Sequence, residues 1–271
     1  HCGQDIGLTE LAELMPVQII DSDTFNLLDG SPSIRRQFLD WGGFHHSSEF
    51  IRVWRGFQRA LKQRNSLLNY GKIDARLREV WDNEFSTYTE DLTSLRSGYI
   101  ERMIPHFEAI VAELVELDDL RLKFSPGWDQ DRPLAEQLTE SWERDLKQGF
   151  TSVGPQRADI KLRVSGRNAA EYLSRGQKKL VVSALKLAQG ALYTEVHRQG
   201  CIYLIDDLPA ELDAQHLRKF CAFLQASDSQ CFITCVEPSS MLDLLSKTTQ
   251  GGLLKLEAGR LVAHQAFGDM E

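Results

Sequence analysis

No G-x-x-x-x-G-K-[ST] loop occurs anywhere in these 271 residues. The single Gly-Lys pair, Gly71-Lys72, has Ser66 at the first loop-glycine position and Ile73 where a hydroxyl belongs. The usual backbone cradle for a triphosphate is therefore missing. Cysteine is scarce, with 5 residues at positions 2, 201, 221, 231 and 235. None forms C-x-x-C and no paired histidine motif lies nearby, which argues against a zinc site and a disulfide framework. Cys201, Cys231 and Cys235 sit in apolar runs and read as buried thiols. No stretch approaches the ~20 continuous apolar residues of a membrane span. The opening His1-Cys2-Gly3-Gln4-Asp5 has neither a basic region nor a long apolar core, so it does not read as a secretory leader. The expectation is a cytoplasmic protein without a membrane partner. Net charge is −8, which argues against wholesale coating of nucleic acid. A local basic face stays open, because DNA senses the nearby patch.

What is present alternates. Leu8, Leu11, Leu14 and Met15 outline a short helix before an extended Val17–Ile20. Phe50, Trp54, Phe57, Leu61 and Leu68 predict a helix over 49–69. A second begins near Asp74, where Trp81, Phe85, Tyr88, Leu92, Leu95 and Tyr99 form a heptad seam. Pro105 is expected to kink or end it, with further helix around Phe107, Ile110, Leu114 and Leu117. The period falls to two at Leu120–Phe124, helix returns over 130–150, and Ile160–Val164 alternates as a strand. From Ser174 the order is helix, strand (201–206), helix (213–226), strand (231–236), helix (238–246) and a hairpin (253–263). Such alternation predicts an α/β fold with a mostly parallel sheet.

Two elements carry chemistry. Ser174-x-x-Gln177 has the form of a capping box opening a helix. Gly176 leaves no side chain in the way of a phosphate approaching that N-terminus. About one helix later, the apolar run Cys201–Ile205 reads as a buried strand ending in Asp206-Asp207. A strand of this kind delivers carboxylates to the sheet edge where open α/β sheets bind ligands. Asp206 is placed to hold Mg²⁺, and Asp207 to orient or deprotonate an attacking water. A separate stripe, Arg52, Arg55, Arg59 and Lys62, is spaced three, four and three and shares one helical face. It is a candidate DNA-phosphate contact, or else a solvated face. Arg35 and Arg36 divide between DNA and nearby acids such as Asp40, and His45-His46 reads as surface.

In this order the segments resemble the ABC-type ATPases of the SMC class, and within them the RecF family. Leu173-Ser174-Arg175-Gly176-Gln177 is similar to the signature motif and Leu204-Ile205-Asp206-Asp207 to Walker B. Ala210-Glu211-Leu212-Asp213 resembles the D-loop. Leu28–Pro32 with Arg35–Asp40, and Gly154–Asp159, resemble two further family hallmarks. The departures are Asp207 in place of glutamate, Gln156 in place of a frequent histidine, and Thr234 where a switch histidine is usual. Gln18 is either a Q-loop glutamine or an incidental glutamine beside a strand.

The resemblance implies an ABC-type ATPase head with an inserted helical arm. Residues 1–40 would be the remainder of the N-terminal lobe, 41–150 the arm and 151–271 the C-terminal lobe. Ser174, Arg175, Gly176, Gln177 and Asp213 would contact ATP, and Asp206 and Asp207 would serve slow hydrolysis with Mg²⁺. The expectation is a chain whose N-terminal ATPase segment has been cut away, leaving apolar faces and sheet edges exposed. The intact protein would form a homodimer when ATP-bound, bind single-stranded and gapped or double-stranded DNA, and work with RecO/RecR-type recombination mediators. It would load recombinase at single-strand gaps and support SOS induction. The alternative is a non-catalytic adaptor module derived from such an ATPase. A transporter-type ATPase subunit is disfavoured by the long arm and by the Gly30–Arg36 hallmark.

Overall fold

A computed structural model describes residues 5–69, 75–237, 239–244 and 250–267. The Gly71-Lys72-Ile73 segment, Cys2, the start near Asp74 and part of the expected 238–246 helix lie outside the described residues.

The chain opens with α1 (Leu8–Leu14), β1 (Val17–Ile20), α2 (Asn26–Asp29) and α3 (Pro32–His46). Pro32 opens α3 at a position where its missing N–H is no loss. Two long helices follow, α4 (Phe50–Asn69) and α5 (Ala75–Leu114). Pro105 does not end the helix. α5 is one 40-residue helix containing that proline, roughly 60 Å long. A helix-interior proline costs ~3 kcal/mol. Burial of Met103, Phe107, Ile110, Val111 and Leu114 around it offsets that cost.

β2 (Leu120–Ser125) and α6 (Leu134–Gln148) precede β3 (Asp159–Val164), β4 (Arg167–Asn168) and α7 (Ala169–Tyr172). The order β2-β3-β4 makes an antiparallel sheet. Its inner face carries buried Ile160, Leu162 and Val164, and its outer face carries charge. Then come α8 (Arg175–His197), β5 (Ile202–Ile205), α9 (Leu208–Glu211), α10 (Ala214–Ala226), β6 (Gln230–Ile233), α11 (Ser239–Leu242) and the hairpin β7 (Gly252–Glu257) and β8 (Arg260–Ala266).

The parallel sheet runs β1-β5-β6. α8 is buried through most of its middle, Leu180–Tyr193, and lies in the large core between this sheet and the second half of α5. Gly190 lets it approach closely, since a Cβ there would collide with the Tyr203 hydroxyl. A smaller core joins α4, the first half of α5 and α6 through Phe50, Phe57, Phe85, Leu92 and Leu138. α5 therefore passes through both cores.

The run at 201–205 reads in sequence as a buried strand, and in the structure alternate residues are covered. Tyr203 and Ile205 are buried, whereas Ile19 (51 %), Leu204 (39 %) and Phe232 (50 %) are exposed and lie in register across the three strands. α8 covers one face, and no described element closes the other. A parallel sheet is ordinarily covered on both faces.

Three buried or half-buried arginines tie these elements. Arg64 takes a core position on α4. It donates to Asp82 (2.8 Å), Asp145 (3.1 Å) and Thr151 (2.8 Å), joining α4, α5 and α6. Arg96 donates to Asp40 (2.6 Å) and to the Pro155 carbonyl (2.9 Å). Arg35 grips Asp159 through two bonds (2.6 and 3.1 Å) and caps the carbonyls of Leu27, Leu28 and Gly30.

Candidate functional site

The capping box forms as its sequence requires. The backbone N–H of Gln177 donates to Ser174 Oγ (3.3 Å), and that of Ser174 donates to Gln177 Oε1 (3.0 Å). The N-terminus of the 23-residue α8 is thus held in a fixed geometry at the surface. Ser174, Arg175 and Gly176 are exposed, and a Cβ on Gly176 would meet nothing within 4 Å. Lys178 and Lys179 are drawn back by Asp29 (2.7 Å) and by Glu211.

Asp213 closes a second helix start. It accepts from the backbone N–H groups of Gln215 and His216 (both 3.0 Å) and pairs with His216 Nδ1 at 2.6 Å. The His216 N–H, and then its ring, hold this carboxyl below the ordinary aspartate range. Ser174, Gly176, Gln177 and Asp213 border one cleft of about 490 Å³, whose far wall includes Leu114, Val115 and Lys219. The structure brings these four predicted residues together. Arg175 does not line that cleft.

Asp206 and Asp207 do not line it either. They follow β5 at the carboxyl end of the parallel sheet, where the Asp206 N–H donates to the Ile20 carbonyl (2.9 Å). Here Thr234 acquires a role the sequence did not reveal. Its hydroxyl donates to Asp206 Oδ1 (2.5 Å) and accepts from the Asp207 N–H (2.9 Å). Asp207 holds the left-handed conformation (φ 45°, ψ 45°), which L residues visit at a cost of ~1–2 kcal/mol. The Thr234 clamp secures it. The signal available beforehand was position: Thr234 follows the neighbouring parallel strand at the same level as Asp206.

Gln18 is buried and bonded within the core. Its amide N–H donates to Gln189 Oε1 (3.2 Å) and its oxygen accepts from Lys186 Nζ (3.3 Å). Gln189 in turn donates to the Tyr99 hydroxyl (2.7 Å) and to the Phe38 carbonyl (2.9 Å). Desolvation lowers the Lys186 pKa to about 8, against an opposing pull from Asp21. This network was not legible in sequence beyond Gln18 itself.

The basic stripe is exposed on one side of α4 as its spacing predicts. Its members have neighbours, however. Arg59 pairs with Glu84 of α5 (2.8 Å), Arg52 lies 3.7 Å from Glu49, and Arg55 donates to Thr9 (2.7 Å). Arg35 and Arg36 are engaged by Asp159 and by the Ala158 carbonyl. They join the two hallmark segments, 28–40 and 154–159. His45 is not surface: it packs against Trp41, Phe44 and Tyr193, and desolvation pulls its pKa down to about 4.

A magnesium ion is compatible with the sheet end. Mg²⁺ is commonly held by one or two carboxylates plus waters and ligand phosphates, and Thr234 occupies only Oδ1 of the exposed Asp206. Among the described residues no group of three or more His, Cys, Asp or Glu gathers into a protein-only metal cage. Nor is any helix there long and apolar enough to cross a membrane.

Comparison with known proteins places this architecture. The family model "RecF/RecN/SMC N terminal domain" matches residues 2–251. A DNA replication and repair protein RecF from Pseudomonas aeruginosa (strain LESB58) is 49 % identical over 259 residues, covering 96 % of this chain and 70 % of that protein. One from Pseudomonas entomophila (strain L48) is 48 % identical over 252 residues, covering 93 % and 69 %. Among solved structures, the recombination mediator protein RecF-ATPrS in the RecFOR pathway superposes with TM-score 0.79 at 22 % identity, covering 95 % of this chain and 70 % of that one. The corresponding RecF-ATP structure gives 0.74 at 24 % identity, covering 84 % and 64 %. These two likenesses show that the chain shares the α/β fold of those structures. By family model and by sequence identity, the chain belongs to the RecF family of DNA replication and repair proteins.

Proposed function

We propose that this chain forms the signature and Walker B part of an ATP-gated DNA-binding head that acts as a dimer in recombinational repair. The observation that carries the reading is the separation of its two half-sites. Ser174, Gly176 and Asp213 face one open cleft, while Asp206 and Asp207 stand at the sheet end and do not border it. A signature face that meets no phosphate loop of its own has a use when it closes on a second head. In that arrangement the Ser174 cap and the α8 N-terminus meet the anionic end of the nucleotide bound by the partner. Asp206 would hold Mg²⁺, and Asp207 would orient the attacking water. The chemistry supplied by bound Mg-ATP is phosphoanhydride hydrolysis, and dimer opening follows it.

The RecF relatives and the RecFOR-pathway structures support a recombination-mediator role with DNA and with RecO/RecR-type partners. The α4 stripe is one candidate for the DNA contact, and residues 41–150 for an inserted arm. The test is Ser174→Arg in the full-length protein. The bulky cation keeps the fold but removes the cap and fills the approach to Gly176. ATP-dependent dimerisation in sedimentation should be lost, with ATP binding by the monomer nearly unchanged. Equal dimerisation of variant and parent would sink the reading.

A further inference from the structure

The outer face of the β2-β3-β4 sheet carries an arrangement that the head's chemistry does not use. In the antiparallel register Arg121 stands directly opposite Arg163, and Lys123 directly opposite Lys161. All four side chains are exposed. Directly opposed residues lie ~4.5–5.5 Å apart, where like charges destabilise a sheet. The chain as a whole carries −8, so this cluster is not a background of positive charge. Local acids meet part of it, with Asp119 and Glu108 acting on Arg121. Arg121 reaches Asp119 (2.7 Å), with both side chains more than half exposed, and Arg163 donates to the Gly166 carbonyl (3.0 Å). Lys123 and Lys161 have no ion-pair partner among the described residues.

The face is also rigidly presented. Ile160, Leu162 and Val164 are buried on the opposite side of β3. A one-residue slip would turn them outward, so register and orientation are fixed together. No large apolar side chain stands among the cations, because Leu122 and Phe124 turn toward the core. That distinguishes the patch from a membrane-binding face, which inserts apolar groups beside its charges.

We propose that Arg121, Lys123, Lys161 and Arg163 form a platform for a DNA phosphodiester backbone, binding without base readout. The identification of the polyanion as DNA rests on the proposed repair function. The charge geometry alone calls for a polyanion.

The experiment uses the full-length protein with ATP and a labelled duplex oligonucleotide, read by fluorescence anisotropy across a salt series. In the Lys123→Gln/Lys161→Gln variant the log–log salt slope should fall in magnitude by about 1.8, at ~0.9 for each phosphate no longer neutralised. Affinity should drop alike for duplexes of unrelated sequence. The unfolding midpoint should equal or exceed the parent's, because an opposed like-charge pair is relieved. A parent that binds duplex, beside a variant with the same slope, overturns this platform while leaving the repair reading intact. If only Arg55→Gln/Arg59→Gln moves the slope, the contact belongs to α4 and the platform again fails. A parent that binds no duplex with ATP overturns both readings. Loss of binding to phosphatidylglycerol vesicles, with duplex binding unchanged, would reassign the face to lipid.

Discussion

Replacing Thr234 by valine keeps the shape of the side chain and deletes one hydroxyl. Two bonds disappear: the 2.5 Å bond donated to Asp206 Oδ1 and the 2.9 Å bond accepted from the Asp207 N–H. A bond to a charged group contributes ~1.5–3 kcal/mol when buried and a neutral one ~0.5–1.5. Both lie at an exposed sheet end, so the low end applies to each and the pair contributes about 1–2 kcal/mol to local geometry. What that energy holds is specific. It aims the Asp206 carboxylate and secures Asp207 in a left-handed conformation it would otherwise leave. If the whole of it is felt in the transition state, hydrolysis should slow by about 5- to 30-fold. Single-turnover ATP hydrolysis in the full-length protein, with nucleotide affinity measured separately, gives the answer. Thr234→Ser restores the hydroxyl and should run near the parental rate. A Thr234→Val protein that binds nucleotide normally and hydrolyses it at the parental rate would refute the clamp.

Arg64→Ala should destabilise the protein by ~3–5 kcal/mol in urea unfolding, because it strands the fully buried Asp145 and frees Asp82; a loss below about 1 kcal/mol would mean water replaces the guanidinium. Lys186 carries a pH signature whose sign follows from its lowered pKa. With the folded value near 8 and the ordinary lysine value at 10.5, the burial penalty is fully present below pH 8 and is relieved as pH rises toward 10.5. Parent stability should therefore climb over that window by on the order of 3 kcal/mol relative to Lys186→Met, and parallel pH profiles for the two would exclude a desolvated lysine.

Local patterns carried most of the fold. Helical spacing located α4, the Ser174 box located the start of α8, and period-two alternation located β2 and β3. What failed, failed where tertiary contact overrides a local rule. Pro105 breaks an isolated helix, but the core on both sides of it holds α5 together. Arg64 sits at the helical position between Leu61 and Leu68, a slot that pattern reading fills with an apolar residue. Its three partners come from segments 18 to 87 residues away, which no local window contains. The apolar run at 201–205 reads as a buried strand without saying which face is covered; the exposed Ile19, Leu204 and Phe232 agree with the expectation of exposed apolar faces. At the site, the residues of each motif were legible, because caps and strand-end carboxylates are local devices. The Thr234 clamp was not, since it depends on the lateral register of β5 and β6.

The two hallmark segments take on a different meaning once Arg35, Arg36 and Arg96 are followed to their partners. A basic pair beside a turn invites a reading as a DNA contact. Here Arg35 satisfies three carbonyls at the end of α2 and the carboxylate that opens β3, so its charge is consumed within the protein. Arg36 reaches the Ala158 carbonyl, and Arg96 joins Asp40 of the first segment to Pro155 of the second. The segments hold each other, and Arg96 fastens α5 to both. Three residues further along, the Tyr99 hydroxyl meets Gln189 of α8, which meets Gln18 of β1. The long helix is therefore tied to the head by directional bonds as well as by apolar packing. Apolar contacts tolerate sliding, whereas a guanidinium held by a carboxylate and a carbonyl, and a buried amide chain, do not. Rotation of α5 must break its bonds to Asp40, to the Pro155 carbonyl and to Gln189 of α8.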